Sequence, residues 1–201
     1  AGSAPAEAEL SEAEIDAIGE IANISMGTAA TTLFSLVNRR VEISTPVVSY
    51  ATWDDIVTKY ERPCVFIRIA YTVGLDGSNI LVLKENDVKI ITDLMMGGDG
   101  SDVSSLQIDE MTLSAIAEAM NQMCGSIATS MASLLASPTD IGFPLINSKD
   151  HKTFEIPDEL CNGTDIVKVT FRLTVDNLID SSLIQLYPIS IVKQILKQEE
   201  I

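Results

Sequence analysis

A single histidine, a single tryptophan and three cysteines are spread over 201 residues, and each scarcity removes a class of chemistry. His151 has no cysteine or acidic partner at metal-ligand spacing and reads as a surface loop residue. No metal site is therefore expected, and a Ser–His or Cys–His hydrolase triad has nothing to stand on. Cys64, Cys124 and Cys161 are odd in number and far apart, which fits buried free thiols rather than a disulfide framework or a CxxC knuckle. Basic residues are also few: 13 Lys and Arg against 29 Asp and Glu leave a formal charge of −16. Phosphate backbones repel such a chain, so no nucleic-acid partner is expected, whereas a basic protein surface would attract it. Long apolar runs are missing as well. IITDLMM is cut by polar residues far short of the roughly 20 that a spanning helix needs, so the expectation is a cytoplasmic protein without membrane insertion. GGDG at 97–100 lacks the Lys-Ser/Thr of a phosphate loop and reads as a helix stop. The opening AGSAPAEAEL, residues 1–10, reads as a flexible tail rather than a leader.

What the chain does have is apolar material, 46% of its residues, and a length that suits one large domain or two fused halves. Two stretches organise it. DAIGEIANIS runs from Asp16 to Ser25, and SAIAEAMNQM from Ser114 to Met123, 98 positions on. Each follows a helix-start signal. Ser11 with Glu14 makes a capping box flanked by the staple residues Leu10 and Ile15, and Ile108, Asp109 and Leu113 stand in the same relative places. Apolar residues then recur at helical spacing: Ile18, Ile21, Ala22, Ala29, Leu33 and Leu36 in the first copy, Ile116, Ala119, Met120, Met123, Ile127 and Leu134 in the second. At 100° per residue, Asp16, Glu20, Asn23 and Gly27 fall within about 40° of one another, roughly opposite that stripe, and so do Ser114, Glu118, Asn121 and Gly125. Each helix is expected to bury one face and turn a narrow polar strip to solvent.

After the first helix, RRVEISTPVVSY, PCVFIRIAYT and SNILVLK read as strands. ENDVKIITDLMM is a shorter helix closed by Gly97-Gly98, and TWDDIVTKYE, holding Trp53, is a connecting loop or a turn of helix. The second half repeats the order, with PTDIGFPLINS, DIVKVTFRLTV and SLIQLYP as strands and ISIVKQILKQ as the last helix. Ser78-Asn79-Ile80 aligns with Ser182-Leu183-Ile184 at an offset of 104, so six extra residues belong in the loop KDHKTFEIPDELCNGTD. The fold class that follows is α+β. Two pseudo-symmetric α-β-β-β-α halves, 11–98 and 108–198, form one layered domain over 11–201 with two long exposed helices bearing the strips.

The strips extend into a longer pattern. Asp16, Glu20, Asn23 and Pro46 follow D-x3-E-x2-N-x22-P, and Ser114, Glu118, Asn121 and Pro144 follow S-x3-E-x2-N-x22-P without a gap. One such match arises by chance; two with the same proline spacing and the same caps do not. The doubled pattern resembles the signature of the CheC, CheX and FliY family of chemotaxis phosphatases, over nearly the whole chain. YTVGLDGSNILVL, LMMGGDG and EAMNQMCGSIATSM are most similar to the CheC-like middle domain of the FliY branch, flagellar motor switch proteins. That branch usually carries a FliN-like C-terminal domain, and this sequence ends at KQEEI after its last predicted helix.

The resemblance implies a hydrolase that removes phosphate from the response regulator CheY at two equivalent sites. Hydrolysis of an aspartyl phosphate needs a water aligned in line with phosphorus, so positioning is most of the catalysis. A carboxamide can accept from that water while donating elsewhere. The resemblance gives this role to Asn23 and Asn121, with no proton abstraction, because an amide is a poor base. Glu20 and Glu118 would face a lysine beside the regulator's phosphorylation site. The chain would bind no cofactor of its own, with Mg²⁺ supplied by the regulator. Gly27 and Gly125 would allow close approach, Asp16 and Ser114 would tune helix solvation, and Pro46 and Pro144 would shape strand paths. Further partners implied are the switch proteins FliM, FliG and a FliN-like domain, at the cytoplasmic face of the flagellar basal body. The alternative function is a non-catalytic CheY-binding module of the switch using the same surface. A stand-alone small-molecule phosphatase is a third and weaker reading.

Overall fold

The computed structural model describes residues 10–59, 64–75, 77–136, 138–142, 145–147 and 166–199. Residues 1–9 of the expected tail 1–10, Pro144, His151, Cys161 and the loop at 149–165 lie outside the described residues, whereas Leu10 is buried and its amide donates to the Tyr50 hydroxyl at 2.8 Å.

Helix α1, Glu12–Val37, starts on the capping box. Ser11 Oγ accepts from the Glu14 amide at 3.2 Å and Glu14 Oε1 accepts from the Ser11 amide at 2.9 Å, which satisfies two amides that a helix start leaves orphaned. Its counterpart α4, Glu110–Leu135, is capped by Asp109, whose carboxylate accepts from the Thr112 amide at 2.9 Å and from the Thr112 hydroxyl at 3.0 Å. Both helices also end alike, on a left-handed residue: Asn38 at φ 53° and Ala136 at φ 50°. Asparagine tolerates that conformation, whereas an alanine there crowds its Cβ against the carbonyl. Ala136→Gly is therefore expected to stabilise the protein by about 1 kcal/mol, read as a higher urea midpoint at unchanged slope.

The strands are β1 Val41–Ala51, β2 Cys64–Val73, β3 Ser78–Lys84, β4 Asp140–Ile141, β5 Leu145–Asn147, β6 Ile166–Val175 and β7 Ile179–Pro188. They form one antiparallel sheet in the order β1-β6-β7-β3-β2-β4, with β5 also on β2. Leu81 and Gln185 hold equivalent places in the two repeats, and they face one another where β3 meets β7, flanked by Ile80↔Leu186 and Val82↔Ile184. The internal twofold axis therefore passes between Leu81 and Gln185. The first strand of each half crosses this axis: β1 pairs with β6 of the second half, while β4 and β5 pair with β2 of the first. The halves thus complete each other's sheet, which two merely adjacent units would not do. PTDIGFPLINS, expected as one strand, is divided between β4 and β5.

Alternate residues of the sheet enter two cores. Val65, Ile67, Leu81, Leu83, Val169, Phe171 and Leu173 point to the helical side, beneath α1, α4, α3 (Glu85–Met95) and α5 (Ile189–Glu199). Phe66, Ile80, Val82, Ile184 and Leu186 point the other way, into a smaller core closed by Trp53 and Ile56 of α2, Trp53–Lys59. The Trp53 and Phe66 rings lie 5.8 Å apart and tilted by 55°, a favourable aromatic geometry. TWDDIVTKYE is thus a helix that covers the back of the sheet. Burial on both faces explains why the central strands read as unbroken apolar runs. GGDG ends α3: the Gly98 amide donates to Asp93 O at 2.8 Å, and the Gly100 amide donates to the Asp93 carboxylate at 2.9 Å.

Candidate functional site

The polar strips ride on α1 and α4, and the packing of those two helices sets where the strips stand. Ile18, Ile21, Met26, Ala29 and Leu33 of α1 are buried, as are Ile116, Met120, Met123, Ile127 and Met131 of α4. Leu134, expected on the buried stripe, is 41% exposed, and Leu135 takes the core position in the last turn. The helices touch through Thr32 Oγ1 and Ser126 Oγ at 2.5 Å. Met131, further along α4, shares a cavity with Ile18, Ile21 and Ala22, further back along α1. Moving forward on one helix means moving backward on the other, so the pair is antiparallel. Asn23 stands nine residues before Thr32, and Asn121 five before Ser126. At 1.5 Å per residue the two amides are about 20 Å apart along the pair.

Asp16, Glu20, Asn23 and Gly27 are all exposed, as the helical spacing predicts. In the second strip Ser114 and Glu118 are exposed, while Asn121 and Gly125 are half-buried. The two strips are alike in pattern but not in environment. Among the described residues, the side chains of Glu20, Asn23 and Asn121 make no hydrogen bond or ion pair, so both amides keep their full hydrogen-bonding capacity for a visitor. Glu118 differs: Gln122 Nε2 donates to its Oε1 at 3.0 Å. Sequence reasoning passed over Gln122 and the Thr32–Ser126 contact, although an i,i+4 Glu–Gln pair was there to be read. A Cβ built on Gly27 or on Gly125 would have nothing within 4 Å. Neither α1 nor α4 contains a lysine or arginine, so the acidity of the strips is not offset along either helix. Pro46 lies in β1, at the edge of the sheet, where the pairing with β6 shifts register between Ser44 and Val47. A residue without an amide proton is tolerated at such a place.

Beneath α4 the polar groups are sealed. Burial pushes the Cys124 thiol up to about 12, and burial, followed by the charge of Tyr187, raises the Tyr71 hydroxyl well above its ordinary range. Cys124 thus remains a protonated thiol at neutral pH and cannot serve as a nucleophile. The small cavity under α1, walled by Ser25, Gln185 and Tyr187 among others, measures about 20 Å³, room for a water and not for a metabolite. Among the described residues, no three His, Cys, Asp or Glu side chains are grouped to hold a metal ion, and no helix is long and apolar enough to cross a membrane. What the site offers chemically is on its surface: two amide–carboxylate pairs, each on a rigid helix.

Residues 14–50 match the CheC-like family. Over 188 residues the chain is 44% identical to the flagellar motor switch phosphatase FliY of Bacillus subtilis (strain 168), covering 94% of this chain and 50% of that protein. The CheY-P phosphatase CheC of the same organism is 25% identical over 128 residues, 62% of this chain and 61% of CheC. The chain therefore spans only about half the length of the first of these relatives and 61% of the second. The X-ray structure of Thermotoga maritima FliY matches with a TM-score of 0.86 at 35% identity, over 95% of this chain and 98% of that one. With a likeness that runs almost end to end in both sequence and fold, the chain belongs to the CheC-like family.

Proposed function

We propose that this chain hydrolyses the aspartyl phosphate of CheY-P at the flagellar motor switch, on the cytoplasmic face of the basal body. The observation that carries this reading is the pair of asparagines on the two polar strips, without side-chain partners among the described residues, in a chain similar in sequence to a flagellar motor switch phosphatase and to a CheY-P phosphatase. The regulator brings the phosphorylated aspartate and its Mg²⁺. Asn23 or Asn121 enters the regulator's site and accepts a hydrogen bond from a water placed in line with phosphorus. The water oxygen bonds to phosphorus as the bond to the aspartyl oxygen breaks; inorganic phosphate leaves with the water's protons and the aspartate is restored as a carboxylate. Glu20 and Glu118, one turn earlier, engage a lysine of the regulator and set the register. Contacts with FliM, FliG and a FliN-like domain would keep the activity beside the motor.

The deciding measurement is the decay of phosphorylated CheY with this chain in substoichiometric amount. Faster decay, with many regulators turned over per chain, is expected. Decay at the spontaneous rate, with binding intact, would leave a docking module of the switch in place of an enzyme.

Gly27 and Gly125 give the docking geometry a test of its own. A glycine inside an exposed helix costs about 1 kcal/mol relative to alanine, and nothing within the fold requires the missing side chain at either position. We read both as places where the regulator's backbone comes close. In a protein left with site 1 alone by Asn121→Ala, Gly27→Ala is expected to raise the melting temperature and to raise KM several-fold at unchanged kcat. A stabilised protein with unaltered KM would mean that nothing approaches there.

A further inference from the structure

The two strips differ at the residue that follows each asparagine. Site 1 has Ile24, which is 43% exposed; site 2 has Gln122, whose amide donates to Glu118 Oε1 at 3.0 Å. The side chain of Glu118 is thereby held by the side chain of Gln122. Separately, the main-chain oxygen of Gln122 accepts from Ser126 Oγ at 3.0 Å, and that hydroxyl meets Thr32 of α1. Glu20 has no such tether among the described residues, and an isoleucine cannot supply one.

We propose that Gln122 is a positioning residue for Glu118, and that it makes the second site the better-organised dock for the regulator's cationic side chain. The inference rests on the reading of Glu118 as a contact to that cation. A free glutamate loses rotamer freedom when it captures a partner; one already held by Gln122 loses less. The tether occupies one of about four lone-pair positions on the carboxylate, so the rest stay open to an ammonium group. An i,i+4 pair on an exposed helix is modest in strength, which bounds the effect to a few-fold in affinity. Since the water-positioning amide is not part of the tether, turnover once bound is unaffected.

The test uses each site by itself. With Asn23→Ala leaving site 2, Gln122→Ile is expected to raise KM for phosphorylated CheY about threefold while kcat stays put. With Asn121→Ala leaving site 1, the reciprocal Ile24→Gln is expected to lower KM by a similar factor. A merely structural role for Gln122 would not predict that gain. Titration calorimetry with phosphorylated CheY, in the protein lacking both asparagines, reads the same change as Kd and needs no hydrolysis. An unchanged KM and Kd for Gln122→Ile, or a fall in kcat in place of the rise in KM, overturns the assignment. An absence of catalysis in the unmodified protein accompanied by the predicted shift in Kd would remove the phosphatase reading and leave the tether standing.

Discussion

Phosphorylated CheY mixed with the Asn23→Ala, Asn121→Ala protein is expected to decay at close to its spontaneous rate, a loss of about a hundredfold or more in kcat. The magnitude follows from what the amide is asked to do. In the proposed role it would contribute no bond and no proton but hold a water within reach of phosphorus, and misplacing a reacting atom by about an ångström is enough to forfeit that factor. Alanine has no acceptor at the same place, so the water is left to bulk statistics. The fold does not share the loss. Neither asparagine makes a side-chain hydrogen bond among the described residues, and alanine is the better helix former by a few tenths of a kcal/mol. The variant should melt at or slightly above the temperature of the parent, so lost activity cannot be ascribed to unfolding. Each single change should retain the turnover of the other site, because the amides stand about 20 Å apart along the helix pair and act without sharing a residue. Full activity in the double variant would remove the mechanism altogether.

How far the sequence alone reaches depends on how local the cause is. Ser11, Glu14 and Asp109 announce the starts of α1 and α4 because a cap is decided by three or four consecutive residues. The strips are equally legible, since helical geometry puts Glu20 beside Asn23 wherever the helix is later packed. The offsets of 98 and 104 already imply a twofold axis, and Leu81 facing Gln185 is where it emerges. The exchange of strands is a different matter. Whether β1 pairs with its own half or with β6 is settled by which hairpin edge lies free beneath the helices, and nothing in VEISTPVVSYA records that. The covering role of α2 was hidden for a similar reason: Trp53 looked solitary until Phe66, Ile80 and Ile184 were assembled around it. The inequality of the sites belongs here too, for Asn121 is half-buried and Asn23 exposed although the two motifs read alike. Chemistry was the least local property of all. A glutamate and an asparagine on a solvated helix are compatible with no function, and it is the duplication together with the family likeness that supports proposing one for them.

Gly74→Ala is expected to damage the fold more than any substitution in either strip. Gly74 ends β2 with φ at +87°, and a Cβ there would stand 2.2 Å from the carbonyl oxygen of Pro138 and 3.2 Å from Thr139 Cα. The obstacle is backbone, so no rotamer change relieves it; the chain before β4 has to move. That chain is where the second half lends its first strand to the first, through Tyr71↔Ile141 and Val73↔Asp140. Left-handed strain of about 1–2 kcal/mol and the displacement together put the loss at about 3–5 kcal/mol, within the large class that overpacking and strain produce. For a chain of this size that corresponds to a melting temperature lower by about 10 °C. Gly97 supplies the control. It shares the left-handed conformation at φ +92° but would have nothing within 4 Å of an added Cβ, so Gly97→Ala should show the strain alone, about 1–2 kcal/mol. The difference between the two variants, measured by urea unfolding, isolates the backbone contact that joins the halves. Because β4 follows directly on α4, the same displacement reaches the helix carrying Asn121 before the one carrying Asn23. Site 2 should therefore lose turnover at a lower temperature than site 1 when each is assayed alone in the Gly74→Ala background, and equal losses at the two sites would place the damage elsewhere.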